Sequence, residues 1–214
     1  PTVTRRFLVV LFAAEALLAG SGCSFRSNPS ARLSALSLEG VGLVVGDLIF
    51  RRTAGLLGNI VLASDRASDF SHVGIIVSVH PEVSVVHAEP GSTQRERGGV
   101  ERVPLAAFLT SPEVTGVAIY RLRPNNTDAS RRAVLWALDH ARRHTPFDGA
   151  LNLSDTTAVY CTELVWRAYQ KAGVTLVEPS SIGLSGPFGP DTVILVSGLA
   201  ASPLLDPVVR RFIP

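Results

Sequence analysis

The stretch "HVGIIVSVHPEVSVVHAEP", His72–Pro90, decides the fold. Both halves are rich in valine and isoleucine, and Pro81-Glu82 sits between them. β-Branched side chains suit a pleated, half-buried surface, and proline beside polar residues punctuates a chain. The expectation is two strands, 72–80 and 83–90, paired as an antiparallel hairpin. The first strand begins on a histidine. Taken alone, such a residue is either a core histidine or a base held on a rigid edge.

Working outward, "GLVVGDLIFRR" (Gly42–Arg52) reads as a Gly46-Asp47 turn followed by a short buried strand through Leu48, Ile49 and Phe50. Residues 53–69 have room for a short helix. Downstream, "GSTQRERGG" is a polar loop, and "GVERVPLAAFL" gives a strand with Val100 and Val103, then a short helix ending near Leu109. "VTGVAIYRLR" (Val114–Arg123) is a further strand. "TDASRRAVLWALDHARRH" (Thr127–His144) is a helix capped by Asp128 or Ser130, with Ala133, Trp136, Ala137 and His140 or Ala141 at helical spacing. "CTELVWRAYQKAG" (Cys161–Gly173) is a second helix. Its apolar face is Leu164, Val165, Ala168, Tyr169 and Ala172, and Gly173 stops it. From Glu178 the chain is rich in Pro, Gly and Ser, and the apolar stretch "TVILVSGLA" is left unassigned. Strands followed by helices predict an α+β fold, an antiparallel sheet packed against helices.

The chain has 214 residues, of which 46% are hydrophobic and 18% charged, enough apolar content for one sizeable domain and too little charge for disorder. The net charge of +2 is spread over scattered arginine pairs, so nucleic acid is not an expected partner. At the N-terminus, Arg5-Arg6 precede a mostly apolar run from Phe7 to Leu18 and then small residues. This is the pattern of a secretory signal peptide, expected over 1–22, and the run is shorter than the ~20 residues of a membrane span. The ending "LAGSGC" resembles a bacterial lipoprotein signal, with Cys23 as the lipidated residue. Gly20, where leucine is common, departs from that pattern, and ordinary cleavage near Gly20–Gly22 is the competing reading. Residues 23–40 are then a tether of linker composition, and 41–214 the folded domain. The expected location is the periplasm or cell envelope, with membrane anchoring through lipid on Cys23.

The cysteines number two, and lipid on Cys23 leaves Cys161 without a partner. Cys161 falls at the start of a predicted helix, where the helix dipole favours thiolate. A histidine on a neighbouring strand, His72, can take its proton. The Cys161 backbone amide, in the first helical turn, has no intrahelical acceptor and suits an oxyanion. Spacing alone does not bring the two residues together. Asp155 is expected to brace the loop entering the helix, Tyr160 to pack, and Asp47 to serve its turn. His80, His140 and His144 are expected to take no part in chemistry. His140 and His144 at i, i+4 lack an evident third zinc ligand. No cofactor or metal is expected.

The blocks "VVGDLIF", "FSHVGIIV", "FDGALNL" and "VYCTELVWRAY" resemble, in order and spacing, the permuted papain-like amidases of the YiiX/YaeF type within the NlpC/P60 superfamily. The resemblance spans Val44 to Ala172. It implies a circularly permuted papain-like fold in which the histidine motif precedes the cysteine motif. It also implies a Cys161–His72 pair and a third polar residue on the next strand that orients the imidazole. Where relatives often carry glutamate, "VVHAEP" has His87, with Glu89 two residues on as the alternative. The implied activity is a thiol hydrolase, amidase/peptidase or acyl-ester hydrolase, acting through an acyl-thioester on cell-wall peptide or lipid acyl groups. An acyltransferase and a non-catalytic lipid- or peptide-binding envelope module are the rivals. Alkylation of Cys161 well below pH 8, lost in His72→Ala, is the chemical signature expected of the enzyme.

Overall fold

The structure, a computed structural model, describes residues 36–91, 98–110, 114–124, 127–180 and 192–213. The expected signal segment 1–22 and Cys23 lie outside the described residues. Six strands form one antiparallel sheet: β1 (Leu48–Thr53), β2 (His72–Ser78), β3 (Ser84–Glu89), β4 (Gly99–Pro104), β5 (Val114–Leu122) and β6 (Leu205–Phe212), in the order β4-β3-β2-β1-β5-β6. The helices are α1 (Leu56–Ser64), α2 (Leu105–Thr110), α3 (Thr127–Arg142), α4 (Cys161–Lys171) and α5 (Val196–Ala200). The α+β architecture expected from the sequence is the one observed, and the predicted hairpin pairs Ile75 with Val86 and Ile76 with Val85.

β1 lies between β2 and β5 and is buried on both faces, which is why "LIF" shows no polar alternation. Leu48 and Phe50 join the larger core under α3 and α4, together with Val73, Ile75, Val86 and Ala118. Alanines at 129, 133, 137 and 141 recur every four residues on α3 and are all buried. Their small side chains let the helix lie close to its neighbours. Ile49, Ile76, Val85, Val117 and Ile119 form the second core on the opposite face, covered by Phe108 of α2 and by Leu36 and Leu38. The packed chain thus reaches back to Leu36, inside the segment 23–40 expected as tether.

The turn before β1 requires its glycine. Gly46 has φ +95, and a Cβ there would lie 2.5 Å from the Ser130 Cβ. Asp47 is fully buried and accepts the Val44 amide at 2.9 Å and Arg121 through both carboxylate oxygens, at 2.7 and 2.8 Å. Tyr169 of α4 donates its hydroxyl to the Gly46 carbonyl at 2.6 Å. α4 ends at Gly173, φ +85, as predicted, and Arg132 of α3 donates to the Ala172 carbonyl at 2.8 Å.

β6 is a strand that the sequence reading did not predict. Asp206-Pro207 and Arg210-Arg211 give "LLDPVVRRF" the look of a turn, yet the segment pairs with β5 from Leu205 to Phe212. A sheet edge tolerates the proline and the outward charges, which blunt the period-2 pattern. The unassigned apolar stretch contributes α5, with Val196 and Leu199 buried.

Candidate active site

A polar cluster interrupts the second core at the start of β2. Arg51 of β1, His72 of β2, and His87 and Glu89 of β3 share the strand parity of Ile49, Ile76 and Val85. Register places Arg51 opposite His72, and His87 opposite Glu101 of β4. The His72 Nε2 and His87 Nδ1 atoms are 3.0 Å apart, with the rings nearly perpendicular at 88°. The Phe108 ring lies 5.8 Å from the His72 ring and 5.2 Å from that of His87. Both imidazoles are buried.

Arg51 donates to the Phe108 carbonyl at 2.9 Å and to Glu89 Oε1, and its guanidinium sits 4.6 Å from the Phe108 ring centre. The second Glu89 oxygen is 3.7 Å from His87 Nδ1, beyond hydrogen-bonding reach. Glu101 Oε1 approaches His87 Nε2 to 3.4 Å, at a geometry short of a hydrogen bond. Of the two residues the sequence offers behind His72, His87 contacts its ring and Glu89 is turned to Arg51.

Cys161 is the first residue of α4, and its side chain packs against the larger core. Its sulfur accepts the Val73 and Thr162 amides. The thiol is therefore delivered from the helix side of the sheet to the backbone next to His72. Among the described residues the His72 ring bonds His87, and no hydrogen bond joins it to the Cys161 sulfur. The helix start is firmly held. Glu163 accepts the Tyr160 amide at 3.3 Å and pairs with Arg167 at 2.7 Å, and Arg167 also holds the carbonyls of Leu153 and Asp155. Burial pushes the Glu163 carboxyl up to about 7 despite Arg167. Thr162 donates to the Ile194 carbonyl at 2.6 Å, and the Tyr160 hydroxyl accepts the Ile194 amide at 2.8 Å.

The electrostatics correct one expectation. Burial pushes the Cys161 thiol up to about 11, and the two amides and the Arg51 charge only partly oppose it. Loss of hydration works against the thiolate that the helix start favours. Burial, then the Arg51 charge, then His87, hold the His72 imidazole well below its usual range. The pair at rest is neutral on both sides. Contact with His87 holds the Glu101 carboxyl below the usual range, against a smaller opposing effect of burial.

The remaining candidates stand apart. Asp155 is partly exposed and accepts the Thr157 amide and hydroxyl, bracing its own turn. Asp148 of "FDGALNL" is buried and accepts the Ala150 and Asn152 amides at 2.8 and 2.6 Å. That motif also forms a backbone ladder. The Val100 amide donates to the Thr145 carbonyl, the Phe147 amide to Gly98, the Val159 amide to Pro146 and the Asp148 amide to Val159. β4 is thereby tied to the residues that lead into Cys161. His140 bonds Thr145 at 2.9 Å and stacks on Trp136. His80 is exposed at the hairpin turn, and His144 has φ 49.

Sequence reasoning missed Arg51, Phe108 and Glu101. Arg51 was hidden in an arginine pair that reads as surface charge, although a strand buried on both faces must bury one of the two. His72, His87 and Glu89 each offer a ligand atom, all within 4.8 Å of one another, so these three could hold a metal ion.

Residues 43–185 match the family model described as permuted papain-like amidase enzyme, YaeF/YiiX, C92 family. A crystal structure described as metalloprotein yiiX from Escherichia coli O157:H7 superposes with a TM-score of 0.64 at 20% identity, covering 79% of this chain and 98% of that one. No curated protein gives a significant match to the chain. With the matched span taking in β1, the histidine strand and the cysteine helix, the chain belongs to the YaeF/YiiX family of permuted papain-like amidases.

Proposed function

We propose that this protein is an exported thiol hydrolase in which Cys161 is the nucleophile, His72 the base and His87 the residue that orients it. The observation that carries the reading is the 3.0 Å contact between His72 Nε2 and His87 Nδ1, with the Cys161 sulfur on the Val73 amide. His87 occupies Nε2, so His72 Nδ1 is the nitrogen left for the thiol. The neutral pair defines the chemistry. The sulfur attacks an acyl carbon as its proton passes to His72, the Cys161 amide meets the developing oxyanion, and an acyl-thioester forms. His72 returns the proton to the departing amine or alcohol. It then takes one from water, whose hydroxide releases the acid and restores the thiol. An acceptor other than water makes the same site an acyltransferase. For an envelope protein anchored through Cys23, the substrates in reach are cell-wall peptides and lipid acyl groups.

The test is turnover of medium-chain p-nitrophenyl acyl esters and of peptide amides by wild type and Cys161→Ala, with intact-protein mass spectrometry during turnover. Acyl mass on the wild type, absent in the variant, is the expected result. Equal turnover by both proteins, or full biological effect of Cys161→Ala, would leave the binding-module rival standing.

A second reading rests on the donor set. Two imidazoles and a carboxylate within 4.8 Å suit zinc, and the superposed yiiX structure is described as that of a metalloprotein. Burial keeps His72 neutral, as a ligand must be, and Glu89 Oε2 is not engaged by Arg51. His72, His87 and Glu89 would hold the ion, which would supply Lewis acidity. A metal on Nε2 and Nδ1 excludes the hydrogen bond between them, so zinc titration followed by the His72 and His87 ring resonances separates the two readings.

A further inference from the structure

One buried nitrogen near the site has no satisfactory partner. His87 is 2% exposed, and its Nε2 makes no hydrogen bond among the described residues. The side chain facing it is Glu101, directly opposite in the β3–β4 register, with Oε1 at 3.4 Å. Glu101 is half exposed. The other nearby carboxylate, Glu89, is paired with Arg51 and stands 3.7 Å from Nδ1, the nitrogen that faces His72.

A neutral imidazole carries one proton, on one nitrogen or the other. If His87 carries it on Nδ1, it donates to His72 Nε2. Neutral His72 then holds its own proton on Nδ1 and has no lone pair for the thiol. If His87 carries it on Nε2, its Nδ1 accepts from His72 Nε2–H, and the His72 Nδ1 lone pair is open. Only the second arrangement gives a competent base. A buried Nε2–H without an acceptor is costly, so the choice depends on what faces Nε2.

We propose that Glu101 is a positioning residue that accepts the His87 Nε2–H and thereby selects the tautomer in which His72 can take the Cys161 proton. The kinetic consequence rests on the hydrolase reading above; the tautomer itself does not.

The experiment is long-range 1H–15N correlation of the imidazoles in histidine-labelled wild type, Glu101→Leu, Glu101→Gln and Glu89→Gln, with p-nitrophenyl ester kinetics on each. Wild-type His87 is expected as the Nε2–H form. Glu101→Leu shifts it toward Nδ1–H and lowers kcat about tenfold with KM unchanged. Glu101→Gln, whose amide oxygen still accepts, keeps the tautomer and restores kcat to within about threefold. Glu89→Gln leaves the tautomer as it is. The proposal is overturned if His87 stays Nε2–H in Glu101→Leu, or if Glu89→Gln is the variant that moves it. An inactive wild type sinks the hydrolase reading, and the tautomer result still decides the role of Glu101.

Discussion

Two buried ionic groups bracket β1, one at each end of the strand. At the first, Asp47 receives the Val44 amide and two nitrogens of Arg121, and the neighbouring Gly46 carbonyl receives the Tyr169 hydroxyl. At the second, Arg51 reaches Glu89 and the Phe108 carbonyl, yet its Nε and the His87 Nε2 make no hydrogen bond. The first group is saturated and fixes a turn against two helices. The second leaves polar atoms short of partners in a place where they can act on something else. A buried polar group with every valence satisfied stabilises one conformation, whereas an unsatisfied one persists where it has a further use.

Four measurements would break or sharpen that contrast. The largest effect belongs to the unsaturated end. Cys161→Ala should abolish acyl transfer to the enzyme, and His72→Ala should lower kcat/KM by ~10²–10⁴, while thermal unfolding midpoints move by no more than a few degrees. A large loss of stability in either variant would make the site structural. Next, Asp47→Asn removes the charge that Arg121 and the Val44 amide converge on. It should cost about 3 kcal/mol in denaturant titrations, the low end for a broken buried pair because Arg121 is partly exposed. Activity per folded molecule should not change.

The third measurement is pH dependence. With the thiol pushed up to about 11, iodoacetamide labelling of Cys161 should climb about tenfold per pH unit through the alkaline range. Rapid labelling below pH 8 would restore the thiolate expected from the helix position alone. Folding also buries His72 in its neutral form. Above about pH 6.5 neither the folded nor the unfolded chain protonates it. Below that, the unfolded chain takes up the proton and the folded chain resists, so this group's effect is a fall in stability as pH drops. Urea midpoints between pH 7 and 5 should decline, and decline less in His72→Gln. Smallest is Tyr169→Phe, expected to cost ~1 kcal/mol through the lost bond to the Gly46 carbonyl. No measurable cost there would show that the saturated end carries redundant bonds.

The elements with strong local patterns were legible in the sequence. The 72–90 hairpin declared itself by β-branched runs around a proline, and α3 and α4 by small or apolar residues at helical spacing. β6 was not legible, because an edge strand is specified by the β5 backbone it meets and tolerates Pro207 and the outward arginines. The site divided along the same line. Cys161 and His72 announce themselves by residue type beside a helix start and a strand start, and His87 follows from the family resemblance. Arg51 and Glu101 act through cross-strand register, opposite His72 and His87, and register is a property of paired strands rather than of one stretch. The protonation state of Cys161 was also out of reach, since it depends on how much water the assembled fold excludes.

The hydrogen-bonded ladder through Thr145, Pro146, Asp148 and Val159 has a consequence for how the two halves of the candidate site keep their alignment. The strand bearing Glu101 and the approach to Cys161 are stitched to one intermediate segment, so a shift in either is passed to the other through main-chain atoms. Gly99 is the tightest stitch, since a Cβ there would sit 2.6 Å from the Thr145 carbonyl oxygen. A methyl group at that position would prise the segment outward and shift Cys161 and the imidazoles together.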